Sequence, residues 1–161
     1  MKICIKKSVL PYAALIAIPI LVGTLAAYLT RENMDVYEVI VRPPLSPPAL
    51  LFPIVWTVLY VLMGVSSARV FLKKDIDKNA ASSGLRAYFS SLVLNFGWSI
   101  IFFNIGAFFI AFLWLISMLY FIIKTVFCYG KIDKISAYLQ VPYILWVTFA
   151  GYLNFAIFLL N

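Results

Sequence analysis

Three groups of side chains fall at spacings that place them on shared helix faces. Asn95, Trp98 and Ser99 stand at i, i+3 and i+4, and Trp56, Tyr60 and Gly64 at i, i+4 and i+8. Trp146, Ala150 and Asn154 repeat the second spacing, with Tyr143 one turn earlier. Residues three or four apart are neighbours on a helix surface. Three helices would thus each present a large aromatic, a small residue and a hydrogen-bonding group on one stripe. Indole faces offer stacking area and an N–H donor, while Asn amides and Tyr hydroxyls fix orientation, so the stripes together suit a pocket for a flat, mostly apolar ligand. The same stripes also serve helix packing, since small residues let backbones approach and Asn bonds across helices. Tyr12, Tyr28 and Tyr129, near predicted helix ends, suit anchoring at a lipid–water interface.

Other chemistry is poorly provided for. The chain has no histidine, which removes the commonest general base, metal ligand and axial ligand of haem. All six acids (Glu32, Asp35, Glu38, Asp75, Asp77 and Asp133) fall in predicted loops, and the lack of a carboxylate within a span argues against a proton relay in the membrane. Cys4 and Cys128 are isolated, which gives neither a disulfide framework nor a metal site. No nucleophile–base pair, phosphate loop or metal cluster is present, so hydrolytic or metal catalysis is not expected and no cofactor is required.

The elements that must position the stripes are set by charge-free stretches. Of the 161 residues, 65% are hydrophobic and 12% charged, about half the charge of an ordinary soluble domain. A helix crosses the roughly 30 Å hydrocarbon core in about 20 residues. Residues 8–30, 43–68, 87–123 and 135–161 contain no Asp, Glu, Lys or Arg. The third stretch is too long for one span and breaks at Asn104-Ile105-Gly106, so five crossings result. The expected fold class is an all-α integral membrane protein, a five-transmembrane-helix bundle forming one domain over 1–161. Its helices are predicted at about 8–28, 49–72, 84–103, 107–127 and 134–160. Residues 8–30 are long for the apolar core of a signal peptide, and Ala26-Ala27 is a poor cleavage site, so a retained helix is expected. Pro19 and Pro142 are expected to bend their helices, which neighbours in a bundle tolerate. Residues 30–48 form the one long loop, and the prolines of Arg42-Pro43-Pro44-Leu45-Ser46-Pro47-Pro48 favour a stiff extended lid. Val36, Tyr37, Val39 and Ile40 are apolar enough to pack that lid back on the bundle.

Orientation follows from the basic residues, which accumulate in cytoplasmic loops. Eleven of the thirteen Lys and Arg fall on the side of the amino terminus, leaving Arg31 and Arg42 on the other. This places the amino terminus in the cytoplasm, and the lid loop and carboxyl terminus outside. The net charge of +7 is then a matter of topology, and nucleic acid is not an expected partner. Ile- and Lys-rich usage points to a bacterial plasma membrane.

The motif residues carry a resemblance. Residues 42–48, followed by Phe52-Pro53-Ile54-Val55-Trp56-Thr57-Val58-Leu59-Tyr60-Val61-Leu62-Met63-Gly64, resemble the signature of the TspO/MBR family. Leu94-Asn95-Phe96-Gly97-Trp98-Ser99 with Phe102-Phe103 resembles its third helix, and Val141-Pro142-Tyr143-Ile144-Leu145-Trp146 with Ala150, Leu153 and Asn154 its fifth. The family comprises the tryptophan-rich sensory proteins, also called translocator proteins or peripheral benzodiazepine receptors. The resemblance implies five helices around a pocket opening toward the first loop, and binding of protoporphyrin IX, haem or other lipophilic molecules. It implies a pocket lined by Tyr37, Trp56, Tyr60, Asn95, Ser99, Trp146 and Ala150. Trp98, Tyr143 and Asn154 share those faces, and Arg42 or Arg31 at the mouth would pair with propionates. It further implies light-dependent porphyrin degradation through Trp56 and Trp146, as in some bacterial members, and leaves a homodimer through the third helix open. The chain departs from the pattern in having Trp114 where many members carry an acid, Ser91 where many carry Gln, and no basic residue in 155–161 to complete the sterol-recognition pattern.

Four functions follow as alternatives: a tetrapyrrole-binding sensor or regulator, a transporter of porphyrin or another lipophile, a light-dependent porphyrin-degrading enzyme, and a ligand-free membrane adaptor. The binding reading is preferred, with transport next.

Overall fold

A computed structural model describes the backbone of residues 2–161 and the side chains of residues 9–161. Expectations resting on the side chains of Lys2, Cys4, Lys6 and Lys7 lie outside the described residues. Among those described, the chain is mostly helical without strands, and five helical segments are long and apolar enough to cross a membrane.

The first span, α1 (Lys2–Thr30), contains Pro11 and Pro19. A single 3-10 turn (Arg31–Asn33) and the short α2 (Val36–Val39) begin the lid. The second span is α3 (Leu51–Leu72). The third, α4 (Lys78–Ser99), winds on through a π segment (Ile100–Ile105) to Gly106. The fourth is α5 (Phe108–Gly130), and the fifth is divided into α6 (Lys134–Leu139) and α7 (Val141–Leu160).

Several boundaries differ from the sequence expectation for identifiable reasons. Span three begins at Lys78, because the Asp77 carboxylate accepts from the Ala80 N–H at 2.9 Å and caps the helix. A capping Asp satisfies one of the donors that a helix start leaves unpaired, so the polar run before Gly84 is helical. The break at 104–106 is present: Gly106 adopts φ +69, a left-handed conformation natural to glycine, and the N–H of Ala107 reaches back to the Ile101 carbonyl at 3.3 Å. The expected bend at Pro142 is an interruption at Gln140, two residues earlier. Pro142 opens α7, where its missing N–H costs nothing.

The spans form a closed ring: α1 packs on α3 and α4, α4 on α5, α5 on α6 and α7, and α6 on α3. Leu59, Met63, Tyr88, Leu92, Met118 and Val147 fill the space between α3, α4, α5 and α7. The end remote from the lid is held by polar groups. Asp133 accepts from Arg69 at 2.7 Å, Lys73 at 2.9 Å and the Ser136 hydroxyl at 2.7 Å, tying α3 to the start of α6. These bonds, Arg69 foremost, hold the Asp133 carboxyl below the usual carboxylate range despite its partial desolvation. Ser66 donates to the Ser136 carbonyl at 2.7 Å and receives Gln140 Nε2 at 3.2 Å, while Ser67 and Tyr129 share a bond of 2.9 Å. Tyr129 is fully buried and so is a core residue, which corrects its assignment as an interface anchor.

In the lid, Tyr37 is buried and Val36 and Ile40 are half-buried, but Val39 is 84% exposed and does not pack back as expected. Residues 43–50 are non-helical, as their prolines require. Ser46 Oγ and N both donate to the Pro43 carbonyl, at 2.7 and 3.3 Å, closing a turn whose third residue, Leu45, has φ 68.

Candidate functional site

Beneath the lid the bundle encloses a cavity of about 550 Å³, within the roughly 300–1,000 Å³ range of small-molecule sites. Its floor and walls are aromatic. Trp56 and Tyr60, one turn apart on α3, stack at 5.4 Å, and Tyr143 meets the Trp56 ring edge-on at 6.1 Å from behind. Gly23 on α1 makes room for the Tyr60 ring, since a β-carbon there would overlap it. Across the cavity, Trp98 packs on Phe102 at 5.3 Å, and Phe102 on Phe103 at 4.9 Å. The roof is Tyr37, whose hydroxyl donates to the Pro47 carbonyl at 3.1 Å and whose ring meets Phe52 edge-on at 5.2 Å.

Of the residues singled out from sequence, Tyr37, Trp56, Tyr60, Asn95, Trp98, Ser99, Ala150 and Asn154 line this cavity. Three do not. Trp146 lies behind Phe52, 5.8 Å away and edge-on, so Phe52 takes the place expected of the second indole. Tyr143 is buried beneath Trp56, with its hydroxyl 3.5 Å from the Met118 sulfur. Arg42 is exposed on the lid, its guanidinium 5.8 Å from the Tyr37 ring. Arg31 is engaged elsewhere, over the Tyr28 ring at 4.5 Å and beside Glu32 at 3.6 Å.

The polar groups of the cavity divide into committed and free. Asn154 is fully committed: its Oδ1 accepts from Trp98 Nε1 at 3.0 Å, and its Nδ2 donates to the Phe108 carbonyl at 2.8 Å. It therefore ties α4, α5 and α7 together while presenting carbon to the cavity. Asn95 is the contrast, 3% exposed with an Nδ2 that has no partner. A buried donor without a partner costs about 1–3 kcal/mol, and this one lies at the cavity wall with almost no accessible surface of its own.

Sequence reasoning missed the α1 wall, made by Ile20, Gly23, Thr24, Ala27 and Thr30. This helix is apolar nearly all round, so periodicity gives it no inner face; the small residues at 23 and 26–27 were the available signal. Two of the three family departures, Trp114 and Ser91, fall outside the cavity lining. Trp114 rests on Gly97 and donates to the Leu94 carbonyl at 2.7 Å, and Ser91 donates to the Tyr88 carbonyl at 2.7 Å.

Fold and site together define a class: a multi-pass helical membrane protein whose five spans surround an aromatic cavity roofed by a proline-rich loop. The sequence profile of the TspO/MBR family matches residues 15–160. Similar proteins include the tryptophan-rich protein TspO of Chlorobaculum tepidum, 35% identical over 96% of this chain and 98% of that protein. The protein CrtK of Rhodobacter capsulatus is 34% identical over 78% of each chain, and the translocator protein of Bos taurus 29% identical over 90% of this chain and 86% of its own. The chain belongs to the TspO/MBR family.

Proposed function

We propose that the protein binds a tetrapyrrole, protoporphyrin IX or haem, within the membrane and acts as a sensory or regulatory translocator protein. The carrying observation is the cavity itself: about 550 Å³, walled by Trp56, Tyr60, Trp98 and Phe102, with Asn95 in its lining. Flat aromatic walls match a macrocycle through stacking, and a turn of the Asn95 amide would offer its unpartnered Nδ2 as an orienting donor. Arg42, exposed beside Tyr37, supplies a cation for propionates at the mouth. With no histidine in the chain, the lining suits the metal-free macrocycle better than an iron centre that needs imidazole. In the orientation favoured by the basic residues, the lid and carboxyl terminus lie outside a bacterial plasma membrane and the Asp133 cluster lies in the cytoplasm.

Titration of purified protein with protoporphyrin IX in the dark, followed by tryptophan fluorescence, tests the reading. Saturable quenching that weakens on Trp56→Phe and Asn95→Ala is expected, and quenching equal to that of an unrelated detergent-solubilised protein overturns it. The position of Trp56 also favours a second reading, light-dependent degradation of bound porphyrin by dioxygen, in which the excited macrocycle activates the oxygen and the adjacent indole, oxidised first, passes the oxidation on to the ring. Illumination should then spare the pigment in Trp56→Phe more than in Trp146→Phe.

A further inference from the structure

The lining of the cavity is unevenly covered. On the side of α4 and α7, Asn95, Trp98, Phe102 and Asn154 are buried. The exposed lining residues are Thr24 and Ala27 on α1, Pro53 and Thr57 on α3, and Met34 and Ala49 of the lid. The opening therefore lies between α1 and α3, under the edge of the lid. Its lower limit is the contact of Gly23 with the Tyr60 ring, below which Gly64 closes on Leu15 and Ile16.

Depth and chemistry assign this opening to lipid. Thr24 and Thr57 each lie six residues inside the lid-side ends of their helices, at Thr30 and Leu51, which is about 9 Å along the axis. Half of the hydrocarbon core is about 15 Å. The rim carries no charged residue, and Thr57 spends its hydroxyl on the Pro53 carbonyl of its own helix at 2.8 Å. The water-facing route is tied shut by comparison. The Asn161 amide accepts from Val41 N at 2.9 Å and donates to Val41 O at 3.2 Å, Tyr152 donates to the Pro44 carbonyl at 3.1 Å, and Asn33 donates to Asn104 at 3.0 Å. Passage through the lid breaks these bonds, whereas passage between α1 and α3 breaks none of them.

We infer that the gap between α1 and α3 is a lateral portal, through which the ligand exchanges directly with the lid-side leaflet of the bilayer. The inference rests on the binding reading above and narrows it: the ligand class is flat molecules already dissolved in the membrane, and occupancy follows their mole fraction in lipid rather than their concentration in water.

Two measurements in reconstituted vesicles test it. In the first, which needs no porphyrin, tryptophan emission is compared in phosphatidylcholine with and without mid-chain bromine, and subtraction of Trp56→Phe isolates Trp56. Bromine should remove most of the Trp56 emission while aqueous iodide leaves it intact, and Ala27→Leu with Thr57→Leu, which fills the rim, should restore it. In the second, protoporphyrin IX binding is followed by stopped flow. The rim variant should slow association by about tenfold and slow dissociation as well, where a mere loss of contacts would speed it, while Asn161→Ala with Tyr152→Phe, which loosens the lid, alters neither rate. Quenching of Trp56 by iodide but not by bromolipid overturns the portal, as does faster association in the lid variant without slowing in the rim variant. Absence of any porphyrin binding overturns the ligand reading instead, and the bromolipid result still decides whether the gap admits lipid.

Discussion

Replacing Asn154 separates a structural role from a ligand-binding one. The residue is 1% exposed, and both of its polar atoms are used, one by Trp98 Nε1 at 3.0 Å and the other by the Phe108 carbonyl at 2.8 Å. Asn154→Leu keeps the volume nearly constant and strands one donor and one acceptor in an apolar interior. Such a group costs about 1–3 kcal/mol in a soluble protein. Interhelical hydrogen bonds in a bilayer average nearer 0.6 kcal/mol, with a maximum of about 1.7, because the unfolded helices find other partners. Two bonds lost together therefore predict a destabilisation of about 1–3 kcal/mol. The assay is reversible unfolding in mixed micelles, run as a double-mutant cycle with Trp98→Phe; a coupling energy of about 1 kcal/mol is expected. Protoporphyrin affinity should change little, since Asn154 offers the cavity no free polar atom. Stability held within about 0.5 kcal/mol of wild type, together with lost affinity, would refute this reasoning.

Gly64→Ala should destabilise by about 1–3 kcal/mol, because its β-carbon would lie 2.5 Å from Ile16 Cα and 2.6 Å from the Leu15 carbonyl and would push α1 off α3; thermal unfolding in detergent reads this directly. Leu45→Gly should stabilise by about 0.5–1 kcal/mol, because a left-handed backbone costs roughly 1–2 kcal/mol in a residue with a side chain and glycine's freedom when unfolded offsets part of the gain. The Leu45 side chain is 80% exposed and forfeits little packing, so a raised Tm is the check. Asp133, whose pKa is depressed when folded, contributes stability that is fully present above its unfolded value of about 3.9 and is lost as pH falls through the lower folded value. Wild type and Asp133→Asn should therefore differ by a constant amount between pH 5 and 8 and converge only in acid, as measured by unfolding across pH.

Much of this architecture was legible because a bilayer leaves few choices. Uninterrupted apolar stretches between charges fixed the five spans, and Asn104-Ile105-Gly106 marked a turn that only a left-handed residue completes. Boundaries failed where local capping overrode hydropathy, as Asp77 did for α4. The aromatic stripes located three walls of the cavity, but spacing alone could not tell a residue that faces the interior space from one that backs it. Trp146 and Tyr143 lie one layer behind Phe52 and Trp56, a distinction of packing depth that no periodicity encodes. Nor could it show which Asn amide is spent on neighbouring helices and which is left over, since that depends on where Trp98 and the Phe108 carbonyl come to rest.

The two sides of the bundle are built from different kinds of contact. Directional bonds from Trp98, Asn154 and Trp114 fasten α4, α5 and α7 to one another, whereas α1 meets α3 through glycines set against Tyr60 and Ile16, contacts that hold no preferred angle. On the binding reading, the container would work as a vice with one fixed jaw and one less firmly fastened jaw. Guests of unequal thickness would be gauged against the same rigid face, with α1 taking up the difference, and changes that widen or narrow the range of guests should concentrate on that first helix.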